Sequence, residues 1–159
     1  KNHMLLLTIW REFVNNNIEH IPLLVIVGKR NIQSKHVGKM LDQCQSIKPY
    51  IREFNNLGDT DAHYLIKHAN ALLFPSFVEG LGISIIEAMQ YSIPIIASDI
   101  PPFRETTGGQ ITLLSPVDGL GWYNKILHYS KEKHKIKYIE NYSLVKVDPL
   151  NKILEYINQ

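Results

Sequence analysis

The sequence predicts an α/β protein built on a doubly wound parallel sheet. The run from Leu23 to Val27 is apolar throughout and is closed by Gly28, which is typical of a strand buried on both faces of a parallel sheet. Segments with strand character then alternate with segments of helical periodicity along the chain. A chain of 159 residues has the size of one domain and buries roughly two-thirds of the surface that its unfolded form exposes. We therefore expect residues 1–159 to form a single domain.

The elements follow one another in a regular order. Apolar residues at three- and four-residue steps predict an amphipathic helix over 3–16. Strands are predicted at 23–27, 50–54, 71–74, 94–97 and 111–114, and helices at 33–46, 61–69, 83–91, 102–106 and 117–129. A charged stretch at 131–142 and a last segment capped by Asp148, with Pro149 in its first turn, complete the chain. This order indicates a Rossmann-like domain, whose ligand binds beyond the carboxyl ends of the strands.

Composition excludes several classes of protein and site. The net charge is +2, from 17 basic and 15 acidic residues, which is too small and too scattered to indicate nucleic-acid binding. The single cysteine, Cys44, forms no intramolecular disulfide and no multi-cysteine metal site, and it favours a reducing, cytoplasmic location. Histidine pairs such as His63 and His68 lack the i, i+4 spacing of metal ligands on a helix. Hydrolase, P-loop and dithiol motifs are absent from the sequence, so hydrolase, P-loop and redox functions have no support in it. We expect no metal and no bound cofactor.

Residues 74–89 carry the most chemical information. Two carboxylates, Glu79 and Glu87, are separated by seven residues. Glu79 falls in the loop that leaves a predicted strand, next to Gly80 and Gly82, whose missing side chains let a backbone approach a ligand. Glu87 falls in the helix that follows. A helix N-terminus suits a diphosphate, and carboxylates accept hydrogen bonds from sugar hydroxyls, so the segment indicates a sugar nucleotide.

The same spacing also fits a purely structural interpretation. Glycine pairs after strands are common, and Glu79 is then a solvated loop residue while Glu87 pairs with a surface lysine. Spacing alone does not decide between the two.

The segment 71–105 resembles the signature of the group 1 glycosyltransferases, a family of retaining enzymes with the GT-B fold. The resemblance rests on Pro75-Ser76, on Glu79-Gly80-Leu81-Gly82 and on Glu87-Ala88-Met89. It continues through 94–99, 102–105 and the glycine pair 108–109.

The resemblance implies roles for individual residues. Glu79 and Lys1 would be catalytic, with Glu79 holding hydroxyls of the donor sugar and Lys1 stabilising the donor phosphates. Glu87 would bind the ribose hydroxyls. The amides of Gly80, Leu81 and Gly82 would face the sugar and the diphosphate.

Three further positions follow from the same resemblance. Gly58 and its neighbours would shape the base pocket through their backbone. The Gly28 turn and Arg30, two residues later, would lie near the donor, with Arg30 reaching phosphate or acceptor.

The resemblance also implies what kind of protein this is. It implies the C-terminal, donor-binding half of a GT-B enzyme that transfers a hexose from a UDP- or GDP-linked donor, without a metal, to a saccharide or lipid-linked acceptor. The acceptor would be held by an N-terminal domain, and this segment alone would be inactive. In the strand order 3-2-1-4-5-6, the first strand lies mid-sheet and would directly precede Lys1, so we expect that strand to be missing here.

Two alternatives and one surface remain open. A non-catalytic module that binds nucleotide sugars as a scaffold fits the same residues, and so does another GT-B enzyme such as a sugar-nucleotide epimerase. The basic segment 131–138 predicts peripheral contact with anionic lipid at the inner face of the membrane, or else a solvated helix face.

Overall fold

The computed structural model describes residues 1–30, 35–80 and 82–138. In chain order the elements are α1 (His3–Asn15), β1 (Leu24–Val27), α2 (Lys35–Gln43), β2 (Ile51–Phe54), α3 (Asp59–His68), β3 (Leu72–Phe74), α4 (Ile83–Met89), β4 (Ile95–Ser98), α5 (Pro101–Thr107), β5 (Thr112–Leu114) and α6 (Gly119–Ser130). A short 3-10 turn at Lys48–Tyr50 precedes β2. The predicted alternation of strands and helices is confirmed, with ends shifted by a few residues.

Helix α1 forms the centre of the larger core. Its N-cap residue, Asn2, accepts a hydrogen bond from the Leu5 amide through its side chain, which satisfies one of the free amides of the first turn. The apolar spacing brings Leu7, Trp10 and Phe13 onto one buried face. These side chains pack with β1, β4 and α6 in one cluster, through Leu24, Ile96, Trp122 and Ile126. Helix α1 therefore connects elements that are far apart in the sequence.

The strands form two parallel sheets. Strand β1 pairs with β2, with Leu24 opposite Ile51 and Val27 opposite Phe54. Strands β3, β4 and β5 form the second sheet in that order, with Phe74 opposite Ala97. Since all pairs are parallel, the carboxyl ends of the strands within each sheet lie at one edge. The α/β, Rossmann-like class predicted from the sequence is confirmed.

A cavity of about 790 Å³ separates the two sheets. Strand β1 lines one side of it and strand β3 the other, and the described part of the chain holds no strand between them. Side chains from α1, α3 and α6 close the ends of this cavity, among them Trp10, Ile66 and Ile126.

The prediction that β1 is buried on both faces is wrong. Only Leu24 is buried, whereas Val25 and Val27 are exposed, as is Leu23 just before the strand. The cause is an uneven cover of helices, because α1 and α2 both pack into the core cluster that holds Leu24. Ile26 is partly buried against the same cluster, whereas Val25 and Val27 lie on the opposite, uncovered face of the strand. A continuous apolar run shows that both faces of a strand are hydrophobic, but it does not show whether other elements pack on both of them.

The charged segment after α6 is not helical over the residues that the structure describes. Residues 131–138 have no regular secondary structure, and the segment is tied to the connection before β4 by Ile136, whose amide donates to the Ser92 carbonyl at 2.9 Å. The Tyr138 hydroxyl donates to the Ile93 carbonyl at 2.6 Å, and burial raises the pKa of Tyr138 to about 12. The predicted last segment with Asp148 and Pro149 lies outside the described residues. Within the described residues, no helix combines the length and the apolar character needed to cross a bilayer.

We expect Leu7→Ala to test the role of α1 in the core. Leu7 is fully buried, and truncation of a buried leucine costs about 2–5 kcal/mol of the free energy of unfolding. The matched control is Leu120→Ala, because Leu120 lies on a helix but is 71% exposed. Urea denaturation of both variants measures the difference. Equal midpoints would contradict the assigned packing of α1.

Candidate functional site

The loop from β3 to α4 carries the predicted chemistry to the carboxyl edge of the second sheet. Gly82 is the N-cap of α4 with φ +66°, in the left-handed region, where glycine is favoured. A Cβ on this residue would also lie 3.0 Å from the Phe103 ring. Both facts favour glycine at this position. The loop can therefore turn sharply into α4, and Glu79 in this loop stays partly buried.

Lys1, Ser76 and Glu79 form one hydrogen-bonded cluster at this edge. The Lys1 ammonium forms an ion pair with Glu79 Oε1, and the Ser76 hydroxyl donates to the same oxygen at 2.5 Å. The Lys1 Nζ also lies 5.5 Å from the centre of the Phe74 ring, in the range of a cation–π contact. Two residues that the sequence predicted as catalytic, 78 positions apart, are thus in direct contact.

The start of α1 explains why Lys1 reaches Glu79. The Asn2 amide donates to the Pro75 carbonyl at 2.6 Å, and the Asn2 side-chain amide donates to the Pro116 carbonyl at 3.1 Å. These bonds join the residue after Lys1 to the ends of β3 and β5. The position of Lys1 is therefore fixed by the hydrogen bonds of Asn2 as well as by its own ion pair with Glu79.

The electrostatics of the cluster favour an ionised Glu79. Partial burial raises the pKa of this carboxyl group, but the hydrogen bonds from Lys1 and Ser76 and the charge of Lys1 outweigh burial, so the pKa lies below its ordinary value. An ionised carboxylate only accepts hydrogen bonds. Glu79 is therefore suited to receive hydroxyl groups of a ligand and is poorly suited to donate a proton.

Glu87 lies on α4, exposed, at the rim of the cavity between the sheets. The same rim includes Lys1, Asp59, His63 and Ser84. Asp59 directly follows Gly58, the N-cap of α3. The structure thus brings Glu87 and the start of α3 to the cavity that Lys1 also lines, whereas Glu79 contacts this group through Lys1.

The predicted glycines occupy different settings. Gly28 follows β1 with φ +140°, and its amide donates to the Phe54 carbonyl at 2.9 Å. Gly58 and Gly80 each have open space where a side chain would lie, which leaves their backbone accessible. Leu81 lies outside the described residues. Within the described part, no three histidine, cysteine or acidic side chains are grouped as metal ligands would be.

Arg30 does not join this cluster. Its guanidinium forms a bidentate pair with Asp42 of α2, at 2.9 Å for both bonds, and two further bonds at 2.7 Å to Glu53 of β2. These bonds raise the pKa of Arg30 and hold that of Asp42 below its ordinary value. Because both carboxylates already occupy the guanidinium, we leave Arg30 out of the proposed donor site.

Sequence reasoning missed the supporting residues of the site. Ser76 belongs to the Pro75-Ser76 motif, but the sequence pattern assigns no role to Ser76, Ser98 or Asn2. The position of Asn2 directly before a helix is a known capping signal. No sequence signal pairs Ser76 with Ser98, because that contact depends on the register of β3 with β4.

Comparison with known proteins identifies the family. The model of the family "Glycosyl transferases group 1" matches residues 1–115, a range that holds Lys1, Ser76, Glu79 and Glu87. The chain belongs to the group 1 glycosyl transferases. The predicted membership is thereby confirmed.

Curated relatives within this family are mannosyltransferases. The O-antigen chain mannosyltransferase RfbU of Salmonella typhimurium is 29% identical over 75% of this chain and 33% of its own length. The O-antigen chain mannosyltransferase B of Escherichia coli is 33% identical over 60% of this chain and 25% of its own length. The chain thus spans a third or less of these relatives.

Solved structures confirm the fold as that of GT-B glycosyltransferases. TarM matches 100% of this chain and 33% of its own chain, with a TM-score of 0.69 and 19% identity. The sucrose-phosphate synthase of Thermosynechococcus elongatus matches 94% of this chain and 42% of its own, with a TM-score of 0.67 and 18% identity.

We expect Arg30→Met to separate stability from ligand binding. Removal of the guanidinium leaves Glu53, which is 18% exposed, without its cation, so the variant unfolds at lower urea concentration. Its affinity for nucleotide sugars stays unchanged, because Arg30 is outside the cluster. Urea denaturation measures the first effect and titration calorimetry the second, each beside Arg11→Met, the control at an exposed arginine of α1. Selective loss of nucleotide-sugar affinity in a folded Arg30→Met protein would restore Arg30 to the site.

We expect Lys1→Met to raise the pKa of Glu79 toward its ordinary value. The folded pKa of Glu79 is depressed, so its ionised form contributes stability above the unfolded pKa of about 4.3, and this contribution is lost as the pH falls through the folded pKa. The stability difference between wild type and Lys1→Met is therefore largest at neutral pH and shrinks in acid. It amounts to about 1 kcal/mol or less, because the lysine is half exposed.

Carbon-13 NMR of the Glu79 carboxyl group measures this pKa directly. Lys39→Met, at an exposed lysine of α2, is the matched control and leaves the pKa of Glu79 in place. An equal pKa in wild type and Lys1→Met would show that the ion pair is absent in solution.

Proposed function

We propose that this chain is the donor-binding domain of a retaining glycosyltransferase that moves a hexose from a nucleotide sugar to a saccharide or lipid-linked acceptor. The observation that carries this proposal is the contact of Lys1 with Glu79 beside the β3–α4 loop, in a member of the group 1 family. The Lys1 cation is suited to phosphate, and the Glu79 carboxylate is suited to sugar hydroxyls. They meet at the carboxyl ends of parallel strands, where ligands bind in this class of fold.

Each residue takes a separate part in the proposed reaction. Glu79 accepts hydrogen bonds from hydroxyls of the donor sugar and so orients its reacting carbon. Lys1 stabilises the charge that grows on the diphosphate as it leaves. Glu87 binds the ribose hydroxyls at the rim of the cavity, and the amides near Gly80 and Gly82 face the sugar and the diphosphate.

The ion pair of Lys1 with Glu79 supports these separate roles. Lys1 keeps Glu79 ionised, and the ion pair orients both side chains before a donor arrives, so little reorganisation is needed when it binds. Transition-state charge is stabilised most effectively by groups that are already in place. In this proposal, catalysis depends on positioning of the donor and on electrostatic stabilisation of the leaving diphosphate, and Glu79 transfers no proton.

The curated relatives suggest mannose as the first donor sugar to test. The two relatives described above are named as O-antigen chain mannosyltransferases. We propose by extension that the whole protein acts in the synthesis of a surface polysaccharide, at the cytoplasmic face of the membrane. We propose that the acceptor binds to a part of the whole protein that corresponds to the segments of these relatives not matched by this chain.

We expect titration calorimetry to show saturable binding of one nucleoside diphosphate and its hexose conjugate. The panel contains UDP, GDP and ADP with UDP-glucose, GDP-mannose and ADP-glucose, used at millimolar concentration because half of a two-domain cleft binds weakly. Glu87→Ala lowers the affinity for the preferred nucleotide by about tenfold or more, since a carboxylate that accepts ribose hydroxyls makes charge-assisted hydrogen bonds.

Glu105→Ala is the matched control, because Glu105 is an exposed carboxylate on α5, and it leaves the affinity unchanged. An unchanged affinity in Glu87→Ala would remove the ribose role. Failure of the folded wild-type chain to bind any member of the panel would contradict the donor-binding proposal itself.

A further inference from the structure

Two serines at the carboxyl ends of β3 and β4 are fully buried. Ser76 and Ser98 each have 0% exposure. Buried hydroxyl groups are costly unless they are hydrogen-bonded, and valine or alanine would fill such positions at lower cost. Their presence at the edge of the sheet that carries Glu79 calls for a role beyond packing.

The two serines connect β4 to the loop that carries Glu79. The Ser76 amide donates to Ser98 Oγ at 2.8 Å, and the Ser76 hydroxyl donates to Glu79 Oε1 at 2.5 Å. The register of β3 with β4, in which Phe74 lies opposite Ala97, brings the two serines side by side. The carboxylate is thus fixed to a buried strand through two successive hydrogen bonds.

This connection determines which oxygen of Glu79 is available. Ser76 and Lys1 both donate to Oε1. Among the described residues no donor to Oε2 is found, so Oε2 is the oxygen that can accept hydrogen bonds from a ligand. The neighbouring residues do little to hold the loop, since Val78 is 82% exposed and Phe77 is 55% exposed. Without the Ser76 bond, the flexible glutamate side chain would sample other rotamers, and Lys1 would be its remaining partner.

We propose that Ser76, itself held by Ser98, is the positioning residue that sets the preference of this site for a sugar-bearing donor over the bare nucleoside diphosphate. The inference rests on the proposed function, in which Glu79 contacts the sugar while Glu87 and Lys1 contact the nucleotide. Ser76 acts through Glu79 and does not touch the donor. Its effect is therefore confined to the part of the affinity that depends on the sugar.

The test measures the ratio of two dissociation constants for each variant, that of the preferred nucleoside diphosphate over that of its hexose conjugate. Ser76→Ala lowers this ratio by about tenfold, the scale of one hydrogen bond to a charged group, and leaves the affinity for the diphosphate alone unchanged. Ser98→Ala lowers the same ratio by a smaller factor, because the Ser76 amide loses its partner while the Ser76 hydroxyl still donates to Glu79. Thr107→Val is the matched control, since it removes another buried hydroxyl, one that bonds to the Phe103 carbonyl at 2.7 Å.

A double mutant separates positioning from structural damage. In a Glu79→Ala background, where the side chain that Ser76 holds is absent and the ratio is already reduced, Ser76→Ala causes no further loss if Ser76 acts through Glu79. A further loss, or an equal fall in affinity for the diphosphate and for its conjugate, would overturn the proposal and leave Ser76 a structural residue. An unchanged ratio in Ser76→Ala would overturn it as well.

These outcomes are distinct from failure of the proposed function. If wild type binds no nucleotide, the donor-site assignment itself is wrong. If wild type prefers the sugar conjugate and Ser76→Ala keeps that preference, the donor site stands and only the role of Ser76 is lost. Ser98→Ala provides the same comparison if Ser76→Ala does not fold.

Discussion

The packing of helix α1 in a core cluster with residues of both sheets is the interaction on which the rest of the molecule depends. The described strands β1 and β3 are not paired with each other, so backbone hydrogen bonds do not join the sheets. Side chains must do so. Leu7, Trp10 and Phe13 of α1 contact a cluster that contains Leu24 of one sheet and Ile96 of the other. The two buried tryptophans of this cluster also satisfy their N–H groups, Trp10 on the Pro22 carbonyl and Trp122 on the Ser115 carbonyl, so burial of these large side chains leaves no donor unpaired.

The same helix that joins the sheets also delivers Lys1 to Glu79. Asn2 caps α1 and at the same time bonds to the ends of β3 and β5. A shift of α1 along its axis would therefore disturb its packing and would move Lys1 away from Glu79. Stability and the proposed chemistry share one helix, which is why a residue at the very start of the chain lies within a site formed 78 positions later.

The sequence predicts the parts of this molecule that depend on local pattern. The period of α1, the runs that form the strands and the turn at Gly82 each follow from neighbouring residues, so their positions are predictable to within a few residues. The cover of β1 is not local, because it depends on which face α2 occupies. Arg30 shows the same limit, since its two partners lie 12 and 23 positions away, and no spacing rule selects them over a ligand. Ser76 and Ser98 are found only once the register of β3 with β4 is known.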